Sequence, residues 1–570
     1  MKTNKIASIV LLTALLMGAC IQKPIEPGPP PVVTPETPSA GTANFSKFVA
    51  LGDSYVAGAQ GGTMFNASQS ASLPKILATQ FSAVGGGAFN QADVGHDNGL
   101  NFVVFAGSGG TVSLGRYLLF DPDGDVDPDG TSGCATSRSA APRAAGTPYS
   151  PAVCPSTSPT PAMPAPYNTF QTVTELVTYL GDRAILNNFG VPGTRVFHTT
   201  AAAYGAVPPT GSPWYFRQAT NPGTSTLLGD ASTKGHKFFL LSLGLFDILG
   251  YATSGAVGSN NGVGAADLTP EVSVFNPSYD ANLAAMVGID PEVKGVVTTI
   301  PDITSLPFFY TVTYNAIELK SSNCNDGAIM GGLNQIFTGY NQALDLILAG
   351  GYPGLTADDV ARRKVVYNFG KNPVLIQDET LLDLTTPLTS LPSPPFSNTL
   401  FAQFGKMRPA TATDMILLTA GSILGTCNPS APTGWPPTLP YLFGLASPLS
   451  DGNVLIPSES AEILARTAAF NAHIVAAAAV YTDQVAVADL KLAYKNLVTN
   501  KAYYSDGVSI VPTFAPPAGM YSEDGVHPNS RGYAFTANVI IDAINTKFTA
   551  NILSASLANY PGTGLPIKGQ

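Results

Sequence analysis

The sequence predicts an α/β protein built on a parallel sheet that is covered on both faces and interrupted by long loop insertions. Two observations carry this reading. Short apolar runs stop abruptly at Gly or Pro-Asp turns, and they alternate with stretches whose apolar residues recur at helical spacing. The residues of most chemical interest also stand at opposite ends of the chain, which one fold has to bring together.

The first run, Phe48-Val49-Ala50-Leu51, ends at Gly52-Asp53 and reads as a buried strand entering a turn. Lys237 to Leu243 ends at Gly244, Lys294 to Ile300 at Pro301-Asp302, and Lys364 to Phe369 at Gly370. Gln484 to Leu490 is a fifth run of this kind. Helices are expected over Leu333 to Leu348, Ala461 to Val480 and Gly532 to Phe548. Strands alternating with helices argue for parallel pairing with helical crossovers. Two long stretches, from Ser108 to about Tyr167 and from Thr385 to Ser450, read as irregular insertions, and no internal repeat is visible. The 570 residues leave room for more than one domain. Because its motifs lie so far apart in sequence, residues 45–570 are nevertheless expected to form one.

Residues 1–19 have the layout of an export signal: Lys2 and Lys5, then the apolar segment Ile6 to Met17, which is short for a membrane span. Met17-Gly18-Ala19-Cys20 resembles a bacterial lipobox, with its Leu one position early at Leu16. The resemblance implies cleavage before Cys20 and a lipid on its sulfur; a plain secretory signal is the alternative. Residues 20–44 then read as a tether, with Pro24, Pro27, Pro29, Pro30, Pro31, Pro35 and Pro38 and little to bury. Nothing after Cys20 resembles an inner-membrane retention signal, so an outer-membrane lipoprotein, facing the periplasm or the cell surface, is expected.

Charged residues make up only 12% of the chain and the net charge is −10, with no cluster of Lys and Arg. That excludes nucleic acid as the expected partner, because phosphate binding needs concentrated positive charge. Beyond Cys20 there are four cysteines, Cys134, Cys154, Cys324 and Cys427. In an exported protein they imply two disulfides with three connectivities open. Cys134–Cys154 with Cys324–Cys427 is the expected pairing, since the first closes a short insert. No Cys-x-x-Cys occurs, which leaves zinc and redox sites without support. Asp121 to Asp129 alternates Asp with Gly and Pro but lacks EF-hand spacing, so a solvated acidic loop is favoured over a calcium site.

Two motifs carry chemistry. In Gly52-Asp53-Ser54-Tyr55 a serine opens a helix straight after a strand, which sets its Oγ at the C-terminal edge of the sheet. Val56 rules out the nucleophile elbow of the α/β-hydrolases, which needs Gly there. In Asp524-Gly525-Val526-His527-Pro528, Asp and His three residues apart can face each other, so that the carboxylate fixes the imidazole tautomer. A helix-capping serine and a surface loop with an incidental histidine are the bland alternatives for the two motifs.

Gly-Asp-Ser near one end and Asp-x-x-His-Pro near the other resemble the SGNH/GDSL hydrolase family, and further similarity extends to a group of Bacteroidetes-type GDSL lipoproteins. That similarity lies over Phe48 to Gly58, Asn188 to Gly193, Gly250 to Gly255, Ile300 to Phe309, Tyr521 to Asn545 and Asn559-Tyr560-Pro561-Gly562. The resemblance implies a flavodoxin-like three-layer α/β/α sandwich (the SGNH hydrolase fold). It also implies a serine carboxylic ester hydrolase acting on lipid, acyl or acetyl esters, with Ser54 as nucleophile, His527 as base and Asp524 as its partner. No cofactor or metal is required by that chemistry. The family's oxyanion hole has three donors. Here they correspond to the Ser54 N–H, a Gly N–H best matched by Gly193 with Gly190 as the alternative, and an Asn side chain. The segment matching the third is Gly244-Leu245-Phe246-Asp247, where Phe246 stands in place of Asn. Losing one such donor typically costs about 10²–10³ in turnover, and Asn260 or Asn261 is the candidate replacement. The departure opens a second reading: a weakened or inactive SGNH-fold lipoprotein that binds a lipid or glycan. A purely structural envelope lipoprotein is a third, but it leaves Ser54, Asp524 and His527 unexplained.

Overall fold

All five residues of Phe48–Gly52 (β1) are buried, as expected of an apolar run inside a covered parallel sheet. The computed structural model describes residues 37–95, 100–101, 179–208, 210–323, 325–391 and 398–562. In it β1 pairs with Asn188–Gly190 (β2) on one side and Phe238–Ser242 (β3) on the other. Lys294–Thr298 (β4) and Val485–Ala488 (β5) extend the sheet beyond β3. All pairs are parallel, and the order across the sheet is β2-β1-β3-β4-β5. The chain thus winds in one direction from β1 to β2 and in the other from β3 onward. A sheet of this order opens a crevice at the carboxyl ends of β1 and β3, where the order reverses.

The helices that matter for the site are Ser54–Ala57 (α1), Leu73–Phe81 (α2), Leu227–Ser232 (α3), Phe246–Thr253 (α4) and Asn276–Val287 (α5). Asp326–Ala349 (α6), Pro457–Ala479 (α7), Leu490–Asn500 (α8) and Ser530–Phe548 (α9) follow. They pack in two groups. α9 lies on β4 and β5 together with α2, while α7 lies on the same strands together with α4 and α5. Phe45, Phe48, Phe81 and Phe238 form one aromatic cluster that locks β1 and β3 to α2. Full burial of each such ring stabilises by about 1.5–3 kcal/mol. No helix among the described residues is long and apolar enough to cross a membrane.

Four of the five expected strands form. The fifth, Lys364 to Phe369, does not: its backbone is extended but bonds to asparagine side chains on α6. Asn341 pairs with both the N–H and the carbonyl of Val365, and Asn334 does the same for Tyr367. The ladder starts instead at Gly370–Asn372, antiparallel to Ile317–Leu319. Edge strand β2, with three residues and a glycine, was too short to leave a periodic signal.

The stretch from Thr385 to Ser450 is more ordered than an irregular insertion. It holds the helix Thr385–Ser390, and Met407–Pro409 pairs with Leu375–Gln377. Residues between Val312 and Ile456 bury a second hydrophobic core of their own, separate from that of the sheet. Leu418 packs against both cores. The expected single domain with loops is therefore a sheet core plus a second packed core inserted between β4 and α7.

The described residues from Ser39 onward form one compact unit. Ser39 exchanges two backbone hydrogen bonds with Asn551, at 3.1 and 2.8 Å, so the folded unit begins a few residues before the expected end of the tether at residue 44. Residues 1–36 with Cys20, the pair Cys134 and Cys154, Cys324, and Asp121 to Asp129 lie outside the described residues. Cys427 is disulfide-bonded, in keeping with the expected use of the cysteines.

Candidate active site

β1 ends at Gly52 because nothing larger fits. A Cβ there would lie 2.4 Å from the Ser242 carbonyl oxygen and 2.4 Å from Val56 Cγ2. Asp53 then caps α1 by accepting the Tyr55 N–H at 3.0 Å. Ser54 follows as the first helical residue, at the carboxyl end of β1 beside the crevice. Asp53 is itself buried. Burial pushes its carboxyl up to about 7, against the pull of the Tyr55 N–H and the nearby charge of His527.

The second motif is built by the loop before α9. Asn529 caps that helix, its Oδ1 accepting the Gly532 N–H at 2.9 Å while its Nδ2 donates to the carbonyls of Gly519 and Gly562, each at 2.7 Å. This starts the helix two residues before the expected Gly532 and sets the loop ahead of it. Asp524 Oδ1 accepts the N–H of Val526 and of His527, both at 2.8 Å. Its Oδ2 accepts the Gly62 N–H at 2.7 Å and faces His527 Nδ1 at 2.7 Å. His527 Nε2 lies 2.8 Å from Ser54 Oγ.

The three residues expected to act together are thus in hydrogen-bonded series, with Ser54 and His527 473 residues apart in sequence. The carboxylate on Nδ1 demands a proton there, which leaves Nε2 with its lone pair toward the Ser54 hydroxyl. Burial by itself would raise the Asp524 carboxyl. The charge and ring N–H of His527, with the two backbone N–H groups, outweigh it and hold the acid below the usual carboxylate range. Asp524 therefore stays ionised, as an orienting carboxylate must. Ser54 and His527 are both buried.

The Tyr55 hydroxyl donates to the Val526 carbonyl at 2.8 Å, and the Tyr533 hydroxyl donates to that of Ala59 at 2.7 Å. Each tyrosine sutures one end of the chain to the other. Neither tyrosine, nor Gly62, stood out in the sequence. Their signal is only that both flank the motifs, Tyr55 following Ser54 and Tyr533 lying on the last helix.

On the opposite side, the structure separates the two glycine candidates. The Gly190 N–H is already donated to Asn188 Oδ1 at 2.9 Å. Gly193 has φ +79°, a left-handed backbone that favours glycine, and a Cβ there would meet nothing within 4 Å. Among the described residues, neither the Gly193 N–H nor the Ser54 N–H is taken by a protein acceptor. Phe246 opens α4 at the carboxyl end of β3 and is half-buried against the main core. The candidate substitute amides do not serve: Asn260 Nδ2 is bonded to Glu462 at 2.8 Å, and Asn260 and Asn261 are both exposed.

Among the described residues, one group of carboxylates could gather on a metal ion: Glu379, Asp451 and Glu459, whose ligand atoms lie within 4.8 Å of one another. Burial and the neighbouring acids push Asp451 up to about 6 and Glu459 up to about 8. A proton retained in the cluster relieves that repulsion.

No family model, no curated protein and no solved structure matches this chain. The site has to be read from its own geometry.

Proposed function

We propose that this chain is a serine carboxylic ester hydrolase of the SGNH/GDSL type. The observation that carries the reading is the series Asp524–His527–Ser54, with separations of 2.7 and 2.8 Å, at the crevice of a parallel sheet. The strand order β2-β1-β3-β4-β5 is that of doubly wound flavodoxin-like sheets, which supports the three-layer sandwich.

In this reading Ser54 Oγ attacks the ester carbonyl and its proton passes to His527 Nε2. The carbonyl oxygen becomes an oxyanion received by the Ser54 and Gly193 N–H groups. His527 returns the proton to the departing alcohol, leaving an acyl group on Ser54. Water, deprotonated by His527, then releases the acid and restores the serine. Asp524 keeps the imidazole in the correct tautomer and stabilises its charged form. Substrates are lipid, acyl or acetyl esters. With a lipid on Cys20 and the Pro-rich tether, the enzyme would work at the outer membrane, on its periplasmic side or at the cell surface.

The test is hydrolysis of p-nitrophenyl esters of increasing acyl length by the full chain in mild detergent, beside Ser54→Ala. Hydrolysis should fall to background in the variant. Equal background rates in both proteins would instead favour a binding lipoprotein on the same scaffold, the reading that Phe246 motivates.

A further inference from the structure

The loop that carries Gly193 is pinned at both feet. At its start the Val191 N–H donates to the Gly52 carbonyl at 3.0 Å, on the strand that delivers Ser54. At its end the Val196 N–H donates to Asp247 Oδ2 at 3.0 Å, on the helix opened by Phe246. Between them the Thr194 N–H closes a turn onto the Val191 carbonyl at 3.1 Å. The Arg195 N–H donates to His198 Nδ1 at 3.2 Å, and Thr194 Oγ1 meets Tyr204 Oη at 2.9 Å. His198 stacks on Tyr204, with ring centroids 4.5 Å apart. Asn282 Nδ2 holds the Val196 carbonyl at 3.0 Å. Gly193 is the apex of this loop.

We propose that Asp247, assisted by His198, is a positioning residue. It fixes the Gly193 N–H in oxyanion-binding geometry and so offsets the side-chain donor that Phe246 does not supply. The proposal rests on the esterase reading. Asp247 is fully buried, and burying a carboxylate does not by itself stabilise a fold. Its Oδ2 accepts the Val196 N–H, which is main chain of the Gly193 loop. Deleting the acceptor leaves that N–H buried and unpaired, and the loop relaxes. A donor displaced by about 1 Å can cost roughly 10²-fold in rate.

The experiment compares Asp247→Ala and Asp247→Asn with the wild-type full chain in detergent. It measures kcat and KM on a short p-nitrophenyl ester, and inhibition by a trifluoromethyl ketone, whose serine adduct carries an oxyanion. Asp247→Ala should lose about 10- to 10²-fold in kcat with KM nearly unchanged, and should bind the ketone more weakly by a similar factor. Asp247→Asn, which still offers an oxygen to Val196, should keep most of both. Wild-type kcat in Asp247→Ala overturns the proposal, as does a loss of kcat with ketone affinity intact. Should Asp247→Ala fail to fold, His198→Phe keeps the stack on Tyr204 but removes the acceptor for Arg195. It should show the same paired losses on a smaller scale, and wild-type values there overturn the proposal. Ser54-independent hydrolysis in the wild type sinks the esterase reading and this proposal together. Ser54-dependent hydrolysis with an unaffected Asp247→Ala sinks this proposal alone.

Discussion

The two sides of the crevice are built on different terms. On the His527 side each group is held several times over: Asp524 takes three backbone N–H groups besides the imidazole, and two tyrosines tie the loop to the segment around Ser54. On the Gly193 side the donors are two main-chain amides, and where a side-chain amide is expected there is Phe246. His527 and Asp524 are over-determined, while the proposed oxyanion site depends on the path of one loop. Pre-organised donors are worth most where charge develops in the transition state. In the proposed esterase, changes on the Gly193 side should therefore tune the rate most directly.

The largest effect should come from breaking the stronger side. Asp524→Asn keeps the shape but presents a donor to His527, favouring the wrong tautomer, and kcat should drop by about 10⁴-fold with the fold intact. Single-turnover acylation by a p-nitrophenyl ester, read beside the circular dichroism spectrum, checks this; a loss under about 10-fold would mean that Asp524 does not set the tautomer.

The next effect sharpens the comparison from the weaker side. Phe246→Asn restores an amide at the start of α4 and should raise kcat by up to about 10²-fold, with little change in KM. Steady-state kinetics on the same ester decides it. Unchanged or lower kcat would show that the two main-chain donors already saturate the oxyanion.

The smallest effect concerns stability. Asp53 has a folded-state pKa of about 7 against an ordinary 3.8. Between those values the folded chain keeps a proton that the unfolded chain has lost. The contribution of Asp53 to stability is thus full below about pH 4 and is lost as pH rises through 7. Asp53→Asn retains an oxygen for the Tyr55 N–H and removes this dependence. It should stabilise the protein by up to about 4 kcal/mol at pH 8 and have little effect at pH 4. Thermal denaturation at the two pH values measures the difference, and equal shifts would show that burial does not hold the proton on Asp53.

Much of the sheet was legible in the sequence because its central strands are continuous apolar runs with sharp stops. β1, β3, β4 and β5 announce themselves in this way. The strand expected at Lys364 to Phe369 misled because its backbone partners are the asparagine side chains of α6, a contact that no local pattern encodes. Ser54, Asp524 and His527 were legible because each stands in a short motif whose spacing makes chemical sense locally. Gly62 and Tyr55 matter for what they meet across the fold, and Asp247, though part of the segment with Phe246, shows its contact with Val196 only in three dimensions.

By itself, then, the sequence determined the alternation of strands and helices, the candidate nucleophile and the Asp–His pair, since these depend on periodicity and on groups within three residues of each other. Tertiary structure alone decided which glycine keeps a free N–H, which carboxylate is buried against the Gly193 loop, and that the insertion after β4 packs a core of its own. Those outcomes depend on contacts between segments tens to hundreds of residues apart. Hydrogen-bond saturation and burial are properties of the meeting of two segments, and neither segment carries them alone.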